Sequence, residues 1–388
     1  MTRVYINDFA VMSRLGMDRE QTRLSLLADT PPRPDREFRL TDGATTQIAC
    51  LPETLPSDLS DGTRTNSMAS ALLRQCSDGI EWVRSTFQAD RIAVIVGSST
   101  TGVEEAIDPF ARRLETGVWE PSYRFAGQEL SDLSRHIRDE IGAAGPAYTV
   151  STACTSATKA ILSGCRHIRT GLADAVICGG IDSIARLTVN GFHALSSVSA
   201  GQCAPFSKNR DGINIGEGGG LFILSASPSD WAIDGGGETS DAYHVSSPDP
   251  TGAYAERALR QALDQAGLSP ADIGFVHMHG TGTELNDKAE ADVMVRLFGS
   301  DMPAASTKGM TGHTLGAAGA LQLAINLICM EHGFYPPHVY DGQRDETLAP
   351  VRLTTGNLKA PARLDRSICA SYAFGGSNAA LVVSRVAQ

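Results

Sequence analysis

The chain has 388 residues, 42% of them hydrophobic and 20% charged, and a formal net charge of −11. That length can bury a large core and suggests two domains or two fused halves. The acidic balance argues against nucleic acid or an anionic membrane as a general partner, although a local basic patch could still meet an acidic protein.

Taken in chain order, Met1-Thr2-Arg3-Val4-Tyr5-Ile6 runs straight into a strand-like segment without the charged region and apolar block of a signal peptide. No window approaches the length of an uncharged membrane span. The eight cysteines show no C-x-x-C pair and read as reduced thiols. A cytoplasmic chain is therefore expected. Residues 51–63, rich in Pro, Ser and Asp, read as a surface loop, and 67–83 as a helix. Short apolar, β-branched runs at 91–96, 148–151, 175–178, 221–224, 273–278, 304–306, 367–371 and 380–384 predict strands. Ala/Leu-rich stretches at 156–169, 254–266, 287–298 and 315–331 predict helices between them. That alternation predicts an α/β fold with buried sheets.

The two halves echo each other. Residues 92–102 and 273–283 are both a strand ending in a Gly/Thr-rich turn. Each is followed by a short strand, a reactive residue and a small-residue helix, and each half closes with an apolar strand pair. This offset predicts internal duplication, with residues 1–235 and 236–388 as the two halves and Pro228 and Gly235-Gly236-Gly237 interrupting the pattern between them.

Four motifs carry candidate chemistry. In Ser151-Thr152-Ala153-Cys154-Thr155-Ser156 a β-rich run stops at a cysteine, and a helix-permissive stretch follows. A sulfur at a helix N-terminus is favoured as thiolate, the nucleophile of thioester chemistry. A space-filling cysteine under a helix fits the same stretch. In His279-Gly280-Thr281-Gly282-Thr283 a histidine at a strand end can project into a cleft while glycines turn the chain. In Thr307-Lys308-Gly309-Met310-Thr311-Gly312-His313 the histidine opens a helix, the position Cys154 holds in the other half. Phe374-Gly375-Gly376-Ser377-Asn378 is a turn able to offer backbone N–H groups to an oxyanion, or a plain hairpin. His277-Met278-His279 leaves zinc open on strand geometry, but no third ligand follows at a familiar spacing and no metal is expected.

Together these motifs resemble the β-ketoacyl-acyl-carrier-protein synthases of the thiolase superfamily, elongating branch, over essentially the whole chain. Arg210-Asp211-Gly212, Gly216-Glu217-Gly218 and Ser240-Asp241-Ala242-Tyr243-His244 extend the match. Residues 187–192 and 212–218 look most like synthases of aryl polyene clusters. The resemblance implies a thiolase-like five-layered αβαβα fold built from two duplicated halves. It implies decarboxylative condensation of an acyl thioester with malonyl-carrier protein through an acyl-Cys154 intermediate, without metal or organic cofactor. It gives Cys154, His279, His313 and Lys308 as catalytic residues, with Lys308 keeping His313 neutral and pairing with Glu290. It places the N–H groups of Cys154 and Phe374 in an oxyanion hole, with Gly375 and Gly376 beside the substrate and Thr281 and Thr283 on the pantetheine arm. Partners would be acyl carrier protein and a second subunit, identical or a related chain-length factor. The alternative is that this chain is itself a non-catalytic chain-length-factor-like subunit, which would have no need of Cys154, His279, Lys308 and His313. Two departures stand out. Ala373 occupies a position where the family has a glycine that frees the Phe374 loop. Ala204 stands where many relatives carry an arginine that helps dock the acidic carrier protein, leaving Arg64, Lys208 and Arg210 for other roles.

Overall fold

The computed structural model describes every residue except 1, 56–61, 122, 357–358, 361–363 and 387–388. Part of the loop expected at 51–63 thus lies outside the described residues. The first half runs β1 (Val4–Met12), α1 (Arg19–Leu27), β2 (Arg36–Arg39), β3 (Thr45–Ile48), α2 (Arg64–Gln75), α3 (Ser77–Thr86), β4 (Ile92–Gly97), α4 (Val103–Thr116), α5 (Ser131–Ile141), β5 (Ala147–Val150), α6 (Ser156–Arg169), β6 (Ala175–Asp182), α7 (Arg186–Ala194) and β7 (Gly218–Ser225). The second runs β8 (Trp231–Ser240), α8 (Ala253–Ala266), β9 (Phe275–His277), α9 (Glu284–Phe298), β10 (Pro303–Ala305), α10 (Lys308–Thr311), α11 (Ala318–His332), β11 (Arg352–Leu353), β12 (Arg366–Ala373) and β13 (Ser377–Arg385).

The strand order repeats. One half has β1-β7-β6-β4-β5 and the other β8-β13-β12-β9-β10, with β11 added at the far edge. In both, the first two pairings are antiparallel and the last two parallel. Among the described residues, the strands of the two units pair edge to edge where Val4–Ile6 meets Trp231–Ile233. The equivalent helices α6 and α11 lie between the sheets, α6 against β4, β6 and β13, α11 against β6, β7 and β12. α11 is buried without a break from Ala318 to Met330, which is why its sequence is apolar there apart from Gln322 and Asn326. With α2 and α5 outside one sheet and α8 outside the other, the molecule is the five-layered αβαβα thiolase-like fold. No described helix is long and apolar enough to cross a membrane.

Two local expectations change. The helix predicted at 67–83 is two helices, α2 and α3, hinged at Cys76. The hinge brings Gly79 against β1, where a Cβ would lie 2.7 Å from the Asp8 carboxylate. The Gly235-Gly236-Gly237 run does not interrupt structure; it is the middle of β8, which crosses the 235/236 division. Helices press on this strand from both faces. A Cβ on Gly235 or Gly237 would lie 2.0 or 1.9 Å from the carbonyl oxygens of Ala262 and Ala258 on α8, and one on Gly236 would lie 2.2 Å from Leu162 on α6. Gly237→Ala is therefore expected to push α8 off its sheet and to destabilise the fold by about 3 kcal/mol or more, read as a lowered thermal midpoint.

Candidate active site

The parallel strand β5 delivers the chain to an elbow at Ala153, whose φ of 51° is left-handed for a residue with a Cβ. Ser156 ties the elbow, its hydroxyl accepting from the Thr152 N–H (2.9 Å) and donating to the Ala153 carbonyl (2.6 Å). Cys154 is thereby held two residues ahead of α6, 6% exposed. Burial dominates its acidity and pushes the thiol up to about 12; the Lys308 charge pulls it down and Asp182 pushes it further up. Burial thus opposes the thiolate that a helix terminus favours.

His313 reaches the same point from the other half. Its backbone is clamped by the 212–218 segment: its N–H donates to Asn214 (2.7 Å) and its carbonyl accepts from Gly216 (3.0 Å). Gly216 has to be glycine, because a Cβ there would sit 2.2 Å from the Thr311 carbonyl. His313 Nε2 lies 3.1 Å from Cys154 Sγ. Its Nδ1 faces the backbone N–H of Leu315 at 3.2 Å, so Nδ1 accepts and the proton of the neutral ring is on Nε2. His279 follows β9 and is set in the same way by a different donor, the Lys308 ammonium, 3.4 Å from His279 Nδ1 and also bonded to the His279 carbonyl. Burial holds both imidazoles well below their ordinary pKa, and the Lys308 charge adds to it. The rings lie 5.3 Å apart at 81°, and the facing atoms of Cys154, His279 and His313 all fall within 4.8 Å of one another. Two neutral N–H donors and one sulfur converge on a single spot.

Lys308 thus bonds to His279, whereas the sequence expectation had it orienting His313. Nor does Glu290 meet it as a close ion pair. Its carboxylate accepts the backbone N–H groups of His279 (2.6 Å) and Gly280 (2.7 Å), with Lys308 acting on it through space. Burial raises Glu290 to about 7 against these donors. Asp287 does the same one turn earlier, accepting from Thr281 (3.1 Å), Gly282 (3.2 Å) and Phe206 (2.7 Å). His277 does not share a ligand position with His279; its Nδ1 is 2.7 Å from Asn326 and its Nε2 3.1 Å from Thr307, between the sheets.

A cavity of about 230 Å³ opens onto the three groups, lined among others by Thr281, Thr283, Asn286, Phe192, Tyr372 and Phe374. The Thr281 and Thr283 hydroxyls bond to each other at 2.8 Å. Phe374 stands at the rim, its ring 5.4 Å from that of Phe192. Gly375 and Gly376 differ from expectation. Both are left-handed (φ 83° and 75°) and shape the turn, but their N–H groups are spent on Val245 (2.8 Å) and Ala373 (3.0 Å). Neither lines the cavity. Ala373 closes β12 opposite Ser377. Of the other basic candidates, Arg64 is paired with Glu217 (2.6 Å) and Arg210 with Asp345 (2.5 Å), leaving Lys208 exposed.

Sequence reasoning missed Asp182, Phe192, Tyr372 and Asn286. Asp182 ends a strand of eight buried residues, and a carboxylate at the end of such a run was the available signal. Tyr372, 5.8 Å from His279, had none beyond its place beside Phe374.

Residues 43–228 match the family described as beta-ketoacyl synthase, N-terminal domain, and residues 232–340 its C-terminal domain. The chain belongs to the β-ketoacyl synthase family. The activity of this synthase class is acyl transfer. The chain is 34% identical over 328 residues to the ketoacyl synthase alpha subunit of the tetracenomycin polyketide synthase of Streptomyces glaucescens, covering 76% of this chain and 75% of that one. It is 30% identical over 319 residues to 3-oxoacyl-[acyl-carrier-protein] synthase 2 of Staphylococcus aureus (strain COL), covering 76% of each. Among solved structures, the ketosynthase ApeO in complex with its chain length factor ApeC from Xenorhabdus doucetiae superposes with a TM-score of 0.93 at 36% identity, covering 99% of this chain and 98% of that one.

Proposed function

We propose that the chain is the catalytic ketosynthase subunit that condenses an acyl group, held on Cys154, with malonyl-acyl carrier protein. The observation that supports this most directly is the convergence of two neutral Nε2–H donors and one thiol within 4.8 Å. Cys154 Sγ attacks the acyl thioester, and the Cys154 proton leaves with the released carrier thiol. The malonyl C–CO2 bond then breaks, and its electron pair moves onto the thioester oxygen. The His279 and His313 N–H groups stabilise that enolate oxygen, each donor contributing on the order of 2.7–4 kcal/mol. The enolate carbon attacks acyl-Cys154, and the sulfur departs and regains a proton. Neutral donors suit this step better than imidazolium ions. A cation would hold the malonyl carboxylate that has to leave as CO2, and binding the ground state does not accelerate the reaction.

Lys308 and Glu290 act as positioning groups, Thr281 and Thr283 as contacts for the pantetheine arm, and Phe374 as the rim of the acyl entrance, with its own N–H and that of Cys154 as oxyanion donors. The two halves divide the work, residues 1–235 carrying the nucleophile and 236–388 the donors. The enzyme is cytoplasmic, takes acyl carrier protein as partner and pairs with a related chain-length-factor subunit, as the Xenorhabdus ketosynthase does. The resemblance of the 187–192 and 212–218 segments supports aryl polyene chain elongation. Intact-mass analysis after incubation with acyl-loaded carrier protein tests the reading. A mass gain that maps to the Cys154 peptide is expected; a chain-length-factor role predicts no acylation.

A further inference from the structure

Asp182 is fully buried at the end of β6, and its two oxygens face opposite halves of the molecule. Oδ1 accepts four donors from the loop after β4: Ser98 Oγ (2.9 Å), the Ser99 and Thr100 N–H groups (2.7 and 2.9 Å) and Thr100 Oγ1 (2.8 Å). Oδ2 accepts the N–H of Ala317 at 3.0 Å, which that group shares with the Thr314 carbonyl. Ala317 closes the tight turn 315–317 that begins α11, and the turn is strained, with Leu315 at φ 49°. It is the Leu315 N–H that fills His313 Nδ1. The turn also has no slack toward the carboxylate, since a Cβ on Gly316 would lie 2.8 Å from Asp182 Oδ2 and 2.7 Å from Ser99 Oγ.

We propose that Asp182 is a positioning residue: reaching across from the half that bears the nucleophile, it pins the 315–317 turn so that the Leu315 N–H keeps His313 in the Nε2–H tautomer. This rests on the reading that His313 acts as a donor. An ionised carboxylate suits the task because it only accepts and can serve both halves at once. Burial raises it to about 6, with the Ser98, Ser99 and Thr100 donors pulling the other way. Asparagine has nearly the same shape and one acceptor. With its oxygen on the four-donor side, its NH2 would face the Ala317 N–H and release the turn.

The test compares wild type with Asp182→Asn, each selectively labelled with 15N-histidine and with the His313 ring signals identified by comparison with His313→Ala. In the wild type a single Nε2–H form of His313 is expected. In Asp182→Asn a mixture of both tautomers is expected, with condensation slowed on the order of 10- to 100-fold at nearly unchanged KM. A single Nε2–H tautomer in Asp182→Asn would overturn the proposal, whatever the rate. Should that variant not fold, Gly316→Ala, which disturbs the same turn and leaves the carboxylate in place, is expected to give the mixture, and a single tautomer there overturns it equally. If the wild type fails to condense, the proposed function falls, while the tautomer comparison still decides the role of Asp182.

Discussion

Cys154→Ala is expected to take up no acyl group from carrier protein and to lose condensation by at least about a thousandfold. No other described cysteine can substitute. The remaining seven are buried, and the facing atoms of both active-site histidines converge on Cys154 alone. Removing one sulfur from a packed site costs about 1 kcal/mol, so the thermal midpoint should barely move. Intact mass, product formation and a melting curve on the same sample separate loss of chemistry from loss of fold. Retained acylation in Cys154→Ala would sink the assignment of the nucleophile.

Lys308→Met is expected to cut condensation about 10- to 100-fold and to move the acid limb of its pH profile upward. The sign follows from charge. In the wild type, burial and then the Lys308 ammonium hold His279 well below 6.5, so its neutral form persists as pH falls through that value. His313 is depressed by the same two causes in the same order. Without the cation both rings protonate at higher pH, and His279 also loses the donor that fills Nδ1. Methionine fills a similar volume, and Glu290, already raised to about 7, can take up a proton where its neighbouring charge is lost. The measurement is kcat between about pH 5 and 8 for both proteins; an unshifted acid limb would show that Lys308 does not set the charge of the imidazoles.

Much of this architecture was legible in the chain. The matched strand–turn segments at 92–102 and 273–283 correspond to β4 and β9, equivalent strands of two sheets with one topology. The helix read at 156–169 coincides with α6, and the Ala/Leu-rich stretch read as a helix at 315–331 contains most of the buried α11. A cysteine where a β-rich run meets a helix-permissive stretch, and histidines beside glycine turns, marked Cys154, His279 and His313, because backbone that must turn sharply at a strand end leaves a local trace in composition.

The chain by itself pointed to the α/β alternation, the repeat and the candidate reactive residues, since periodicity and turn chemistry act between near neighbours, while the layer order was what the resemblance implied. Only the tertiary structure decided which nitrogen of each imidazole faces a donor, that Lys308 serves His279, that burial pushes the Cys154 thiol up, and that Gly375 and Gly376 spend their N–H groups within the protein. Those properties depend on desolvation and on donors arriving from residues far apart in sequence, such as Asp182 against Ala317, and neither quantity exists until the two halves close on each other.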